Sequence, residues 1–457
     1  MTGASICMWA YQLFPAFHIK RQKSLLYFLT FALILPICCI YFNLYHSHYY
    51  RGYLWLQGQL EPNQNDFKVK LMQQLIADND ERIDNANRFM KTFCQKLSRS
   101  NGSTESSNWD VPENSCRASV LNWGDMRPKA TVLITVISSK RTALLDTNQP
   151  LVLQYLTQNV AKWLEMIEKI NTNGHAKKYK LTICSVGSEI TKEEEHLKEI
   201  VPLFRSSGAS LKSSDFGPYH DKLAWPYEKE KRDYAFCLNK VQTQYKPEYI
   251  LVVEDDALPL DHALKTLDHW INYLSRRSAR YSYLKLYHPK RLQGFESSEA
   301  ERIPQLLGIS VVLGTLFSCI ESQFMPAILG TAKQTYSFWM LLSWFVYSAL
   351  VAVAIGRPHL ERWRSSLSPH FHYIVPDPFC CTQAVLYSGE SARDFSRYLG
   401  TVICNETFHK DDALWSYNLA GRLNHGFGRL LQPNLFHHVG FWSSLRSGFV
   451  DPLLILE

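Results

Sequence analysis

Between Leu306 and Gly356 this chain of 457 residues carries only two charged side chains, Glu321 and Lys333. With charged residues at 20% overall, about ten would be expected in a stretch of that length. Such a stretch is either a pair of buried core helices or a hairpin that crosses a bilayer and returns. Residues 338–356 are long enough to span, whereas residues 306–320 fall a little short unless the helix continues past Glu321. The depth of the charge depletion favours the hairpin. Against it, Arg357, Arg362 and Arg364 follow on the non-cytoplasmic side, contrary to the usual placement of basic residues.

A second apolar run covers residues 25–44, preceded by His18, Lys20, Arg21 and Lys23. About 20 apolar residues make a helix of roughly 30 Å, and a basic flank stays cytoplasmic. The run ends in Cys38, Cys39, Ile40, Tyr41 and Phe42 and not in small residues, so a retained anchor fits better than a cleaved signal peptide. The body is then lumenal, in keeping with sequons at Asn101 and Asn405. Seven of the 11 cysteines fall in that body; the odd number leaves at least one thiol free or paired elsewhere. The net charge of +7 is spread without a Lys/Arg block, which argues against nucleic acid as partner.

The body reads as a mainly parallel α/β sheet. Residues 130–137 (ATVLITVI) form a continuous β-branched run, as in a strand buried on both faces. Further strands are predicted at 179–186, 249–253, 283–286, 371–375 and 384–387. Helices alternate with them at 152–170, 227–245, 261–274 and 412–423. An amphipathic helix is predicted at 69–93, inside a stem of residues 46–128.

Glu254, Asp255 and Asp256 come directly off the strand at 249–253. Carboxylates at the carboxyl end of a central strand stand at the crevice where α/β proteins bind ligands. Like charges so close together favour a cation, and oxygen ligands suit Mg²⁺ or Mn²⁺. The plainer reading is a cap for the following helix. His437 and His438 offer imidazoles that complete a metal shell or simply pack. Asp411 and Asp412 stand before a helix as cap or as general base.

Several separate motifs in one order then carry a resemblance. They are the segment from Tyr227 to Tyr234 with Cys237-Leu238, the segment YILVVEDDALP (249–259), YLKLYHP (283–289), Cys380-Cys381-Thr382, Lys410-Asp411 and PNLFHHVGFWSSLR (433–446). Together they resemble the family of post-GPI-attachment GalNAc transferases, Golgi enzymes that add a side-chain sugar to GPI anchors. The resemblance implies a GT-A fold interrupted by a transmembrane hairpin. It also implies UDP-GalNAc as donor, the mannose of the GPI core on GPI-anchored proteins as acceptor, and inversion at the anomeric carbon. The implied organisation is a cytoplasmic tail (1–23), an anchor (24–45), a stem (46–128), two catalytic parts (129–302 and 357–457) and the hairpin between them (303–356).

Carried over by position, the metal ligands are Glu254, Asp256 and His438, with Mn²⁺ expected and Mg²⁺ as the alternative. Donor-binding residues are Ser139, Glu254, Asp255, Asp256, Thr382, Gln383 and Asp411. The catalytic acids are Asp411 and Asp412. Gln383 stands where the family pattern suggests proline, and Asp412 adds a second acid beside Asp411, which leaves open which one acts as base. The paired cysteines suggest a vicinal disulfide, with a plain pair as the alternative. The nearest rivals are another GT-A transferase, such as an N-glycan branching enzyme, and a non-catalytic glycan-binding membrane protein.

Overall fold

A computed structural model describes residues 25, 27–60, 64–100, 132–141, 143–144, 150–172, 179–187, 189–206, 225–276, 281–295, 302–329, 338–421, 427–443 and 448–455. The basic flank at 18–23, the sequon at Asn101, Cys116 and Lys333 lie outside them. The chain divides into two compact units, Lys68–Pro289 with Leu367–Leu456, and Met1–Phe67 with Lys290–Ser366.

The strands of the first unit include β1 (Val132–Ser138), the short pair β2 (Ala143–Leu144) and β3 (Pro150–Leu151), β4 (Tyr179–Ser185), β5 (Leu203–Arg205), β6 (Tyr249–Glu254), β7 (Ala257–Pro259), β8 (Tyr281–Lys285), β9 (Tyr373–Pro376), β10 (Ala384–Ser388), β11 (Phe427–Gln432) and β12 (Phe436–His438). Eight of them form one sheet in the order β5-β4-β1-β6-β10-β8-β11-β9. The half from β5 to β6 is parallel throughout. β10 is reversed against both β6 and β8, β11 runs parallel to β8, and β9 closes the edge antiparallel. The sheet is therefore mainly parallel, as expected. The reversal of β10 had no signature, because a short run buried on both faces, Ala384 to Tyr387, reads the same in either direction.

Helices α1 (Gln64–Ser100), α2 (Tyr155–Thr172), α3 (Trp225–Tyr245), α4 (Ala263–Arg276), α5 (Gly389–Leu399) and α6 (Lys410–Gly421) flank it. Strand side chains alternate between two cores, as the pleat requires. Val132, Ile134, Val136, Leu251 and Val253 meet Trp163 of α2, Leu267 of α4, and Met90 and Phe93 of α1. Leu133, Ile250, Val252 and Val385 meet Leu238 of α3, Phe395 of α5 and Leu414 of α6 on the other face. Each fully buried aliphatic or aromatic side chain contributes roughly 1.5–3 kcal/mol, so both faces stabilise the sheet. The amphipathic helix expected at 69–93 is longer than the apolar periodicity indicated. Its apolar stripe packs into the core of the body, which binds this part of the expected stem to the sheet.

The disulfide between Cys184 and Cys237 staples the end of β4 to α3. Cys94 is also disulfide-bonded, Cys380 is bonded to Cys381, and Cys404 is a buried free thiol. Within α3 the expected pair is present: Arg232 Nε donates to Glu228 Oε1 at 2.8 Å, and Lys231 Nζ does the same at 2.8 Å. Glu228 Oε2 accepts from the Cys404 amide at 2.9 Å, so its buried charge is fully engaged.

In the second unit, the helices Arg302–Leu329 and Phe338–Ile355 pack against each other. Both are long and apolar enough to cross a membrane, and only 17% and 28% of the two apolar windows is buried. Core helices would bury most of that surface. The first helix does continue past Glu321, whose carboxylate accepts from Trp344 Nε1 at 2.5 Å on the second. A Cβ on Gly314 would collide with the Phe345 side chain and lie 2.9 Å from its backbone nitrogen, so glycine permits the close approach. The described part of the N-terminal apolar helix covers Tyr27–Tyr41 and includes a π-turn at Thr30–Ile34, just before Pro36. Proline has no amide hydrogen to continue the α ladder there. This helix runs alongside Phe338–Ile355 in the same direction. Tyr27 Oη donates to the Ser343 carbonyl at 2.9 Å, and farther along the His46 amide donates to His359 Nε2 at 3.0 Å.

Candidate active site

The parallel half of the sheet sets the carboxyl ends of β4, β1 and β6 side by side, with Ile137 opposite Glu254. Beyond those ends lies a cavity of about 350 Å³, lined by Ser139, Arg141, Glu254 and Asp255 from the strand ends, Glu230, Asp233 and Tyr234 from α3, and Lys410 from α6. The acidic triplet is fixed from behind. Asn159 of α2, wholly buried, donates through Nδ2 to the carbonyls of Glu254 (3.2 Å), Asp255 (3.2 Å) and Ala257 (2.7 Å).

The three acids face two ways. Glu254 Oε1 accepts from Lys410 Nζ at 2.9 Å and lies 3.4 Å from Thr382 Oγ1. Lys410 also bonds Glu230 at 2.9 Å and lies 4.9 Å from the centre of the Tyr234 ring. Asp255 and Asp256 turn to Arg141, whose NH2 donates to Asp255 Oδ1 at 2.5 Å and whose NH1 lies 2.8 Å from Asp256 Oδ2. The Ser139 amide donates to Asp255 Oδ2 at 3.4 Å. Burial pushes the Asp255 carboxyl up to about 7, with Arg141 opposing. Burial acts on Asp256 too, but Arg141 and His438 outweigh it and hold that carboxyl below its usual range. Glu254 is raised by burial against the pull of Lys410. Asp233 is pushed by burial up to about 6 despite Lys229 at 2.5 Å.

His438 reaches the triplet through β12, which pairs antiparallel with β7 and sets His438 opposite Ala257 and His437 opposite Leu258. His438 Nε2 lies 3.3 Å from Asp256 Oδ2, and the Val439 amide donates to the Asp256 carbonyl at 2.9 Å. At Gly440 a Cβ would run into the Asp256 carboxylate, with Cγ at 2.8 Å. A side chain there would displace that acid.

The other expected residues form a second cluster. Asp411 Oδ1 accepts from Thr382 Oγ1 at 2.9 Å, and Oδ2 from the Cys381 amide at 3.0 Å. Gln383 contributes its carbonyl, which accepts from the Glu254 amide at 2.8 Å. Cys380 and Cys381 have φ of 107° and 79°, a left-handed backbone that side chains rarely adopt. Lys285 Nζ holds the Cys380 carbonyl at 2.9 Å and pairs with buried Asp377 at 2.9 Å. The helix expected at 412–423 begins at Lys410. Asp411 and Asp412 therefore lie in its first turn, and Asp412 Oδ2 accepts from the His409 amide at 2.6 Å, as a capping group does.

Ser139, Glu254 and Asp255 thus line one cavity; Asp256 and His438 meet beside it; Thr382 and Asp411 join through Glu254. Arg141, Asn159, Glu230 and Gly440 were missed in the sequence. For Arg141 a signal existed, since it follows Ser139 just past the first strand, where such folds bind ligands.

The donor set suits a divalent cation. Among the described residues of the connected network, Glu230, Glu254, Asp255, Asp256 and Asp411 meet two fixed cations, Arg141 and Lys410. Asp256 Oδ1 is buried with no hydrogen-bond partner, beside an imidazole. Glu254 is turned toward Lys410 and away from that pair. Among the described residues, ligand atoms of three such side chains converge at Cys380, Cys381 and Asp411. There the two sulfurs are bonded to each other and offer no thiolate.

A mainly parallel sheet with acids and paired cations beside a cavity at its carboxyl edge has the layout of an α/β protein that binds a ligand there. The family model described as GPI-N-acetylgalactosamine transferase PGAP4 matches residues 132–437. The chain belongs to that family.

Proposed function

We propose that this chain is a Golgi enzyme that transfers GalNAc from UDP-GalNAc to a mannose of the GPI core, with inversion and with a divalent metal, Mn²⁺ or Mg²⁺. The observation that carries the reading is the acidic triplet at the end of β6, of which Glu254 and Asp255 line a cavity, in a chain of this family. Asp256 and His438 would hold the ion, with Glu254 completing the set once it leaves Lys410. Held there, a divalent ion would supply positive charge to stabilise a diphosphate leaving group.

The chain's own groups supply the rest. Ser139 and Asp255 border the cavity where the nucleotide would lie. Lys410 and Arg141 offer positive charge beside it, in a partly dry site where charge acts strongly. Asp411 is the base we assign. Its oxygens each accept one hydrogen bond from the 381–382 turn, which orients it with lone pairs to spare for an acceptor hydroxyl. Asp412 is occupied in capping α6.

The two exposed apolar helices and the N-terminal helix support a three-span membrane protein with a lumenal body. The parallel run of Tyr27–Tyr41 beside Phe338–Ile355 accords with both helices ending on one side. Asn405 is exposed at its sequon, as a lumenal acceptor must be. The test is to offer the purified full chain a panel of UDP-sugars with Mn²⁺ and a GPI glycan. Transfer of GalNAc to the GPI mannose is expected. Transfer of another sugar, or to Asn-linked glycans only, would refute the assignment.

A further inference from the structure

Ala413, Leu414 and Tyr417 of α6 fill the core beneath that helix, and Trp415 stands outside it. Trp415 is one turn along from Asp411, and residues four apart share a helix face. That face meets the turn at 379–382. Asp411 accepts from the Cys381 amide and from Thr382 Oγ1, and the Trp415 ring meets Phe379 edge to face, with centroids 6.0 Å apart and planes at 88°. Phe379 is 53% exposed and Trp415 is half-buried. Solvent therefore reaches a right-angled apolar corner beside the acid.

The backbone under this corner is held from inside. Lys285 Nζ donates to the carbonyls of Pro378 at 3.5 Å and of Cys380 at 2.9 Å, one on each side of Phe379. Lys285 is wholly buried, its charge met by buried Asp377 at 2.9 Å, and Asp377 also accepts from Tyr283 Oη at 2.5 Å. A buried ion pair is costly to assemble, and here it fixes the main chain of an exposed phenylalanine. An aromatic ring on a fixed base loses little freedom when a ligand lies against it. Neither Phe379 nor Trp415 lines the cavity at the ends of β1, β4 and β6. Thr382 Oγ1 joins the two regions, 2.9 Å from Asp411 Oδ1 and 3.4 Å from Glu254 Oε1.

A pyranose makes the matching mixed demand. One face is built of C–H bonds, which are drawn to the electron-rich face of an aromatic ring. Its rim of hydroxyls needs acceptors such as a carboxylate. We propose that Phe379 and Trp415 form the acceptor subsite, against which the C–H face of the sugar stacks while its reacting hydroxyl points to Asp411. This rests on the reading of Asp411 as base. The corner then decides which hydroxyl meets the acid, because a stacked ring has one orientation and a tumbling one has many.

The full chain in nanodiscs is given UDP-GalNAc, Mn²⁺ and a soluble oligomannoside that carries no lipid. Trp415→Ala should raise the KM for the oligomannoside about tenfold, the size of a lost aromatic stack. It should leave the donor KM unchanged and alter kcat by no more than a few-fold. Trp415→Phe should restore most of the loss, and Phe379→Ala should raise the acceptor KM about threefold. Saturation-transfer NMR of the oligomannoside on the unaltered chain, without donor, should mark the C–H protons of one ring face, and the mark should vanish in Trp415→Ala. An unchanged acceptor KM, or a donor KM that rises with it, overturns the subsite. A loss confined to lipid-linked acceptors overturns it too, and makes the corner a membrane contact. If the unaltered chain glycosylates no mannoside yet the NMR mark appears, the proposed function falls and the sugar-binding corner stands; if the mark is missing as well, both fall.

Discussion

The two flanks of the acidic triplet are built on one plan with different parts. On one flank Arg141 bridges Asp255 and Asp256, neighbours in sequence, with both arms of a planar fork. On the other, Lys410 bridges Glu230 and Glu254, which come from different elements, with a single point charge. The arginine flank also holds an imidazole and an unpartnered carboxylate oxygen, whereas the lysine flank holds a hydroxyl and the oriented carboxylate of Asp411. On the proposed reading, one side takes the cation and the other moves the proton. The chain delivers them from opposite sides of its apolar insertion, Arg141 before residue 302 and Lys410 after 355.

The sharpest way to break this comparison is to remove each bridging cation in turn. Arg141→Met and Lys410→Met should each cost about 3–5 kcal/mol of stability, because an uncompensated buried charge remains. Added Mn²⁺ should restore thermal stability to the Arg141 variant and not to the Lys410 variant; equal rescue of both would erase the distinction between flanks. Asp411→Asn should lower kcat roughly 10²–10⁴-fold while the KM for donor stays near its original value.

Smaller effects refine the picture. Asp233 binds its proton more tightly folded than unfolded, since burial raises it to about 6 from an ordinary carboxylate value. Its stabilisation is therefore complete below about pH 4 and is lost as pH rises to about 6, by up to about 3 kcal/mol. In a pH series of melting curves, Asp233→Asn should flatten that decline. Gly440→Ala should cost about 1–3 kcal/mol by crowding Asp256, and should weaken metal activation more than it weakens folding. Asp412→Asn should cost about 1 kcal/mol or less as a lost cap and leave kcat within a few-fold. A large kcat loss there would move the base from Asp411 to its neighbour.

Much of the fold was legible because its signals are periodic and local. The run at 130–137 became β1, Glu254 to Asp256 left the end of β6 as anticipated, and Glu228 with Arg232 paired within α3. What stayed hidden depends on pairing between distant segments. The reversed β10 places the turn at 380–383 beside β6, and the β12–β7 pairing alone brings His438 to Asp256. Asn159 reads as one more polar residue on an amphipathic helix, yet it fixes three carbonyls around the triplet. Cys404 could not be singled out as the free thiol from spacing, because pairing follows proximity in the fold.

The measurement that bears most directly on the central claim is calorimetric titration of UDP into the full chain, with and without Mn²⁺, beside the double variant Glu254→Ala, Asp256→Ala. Binding of UDP should require the ion in the unaltered chain and vanish in a folded variant. UDP that binds equally tightly without metal, or to the variant as well as to the parent, would contradict the account.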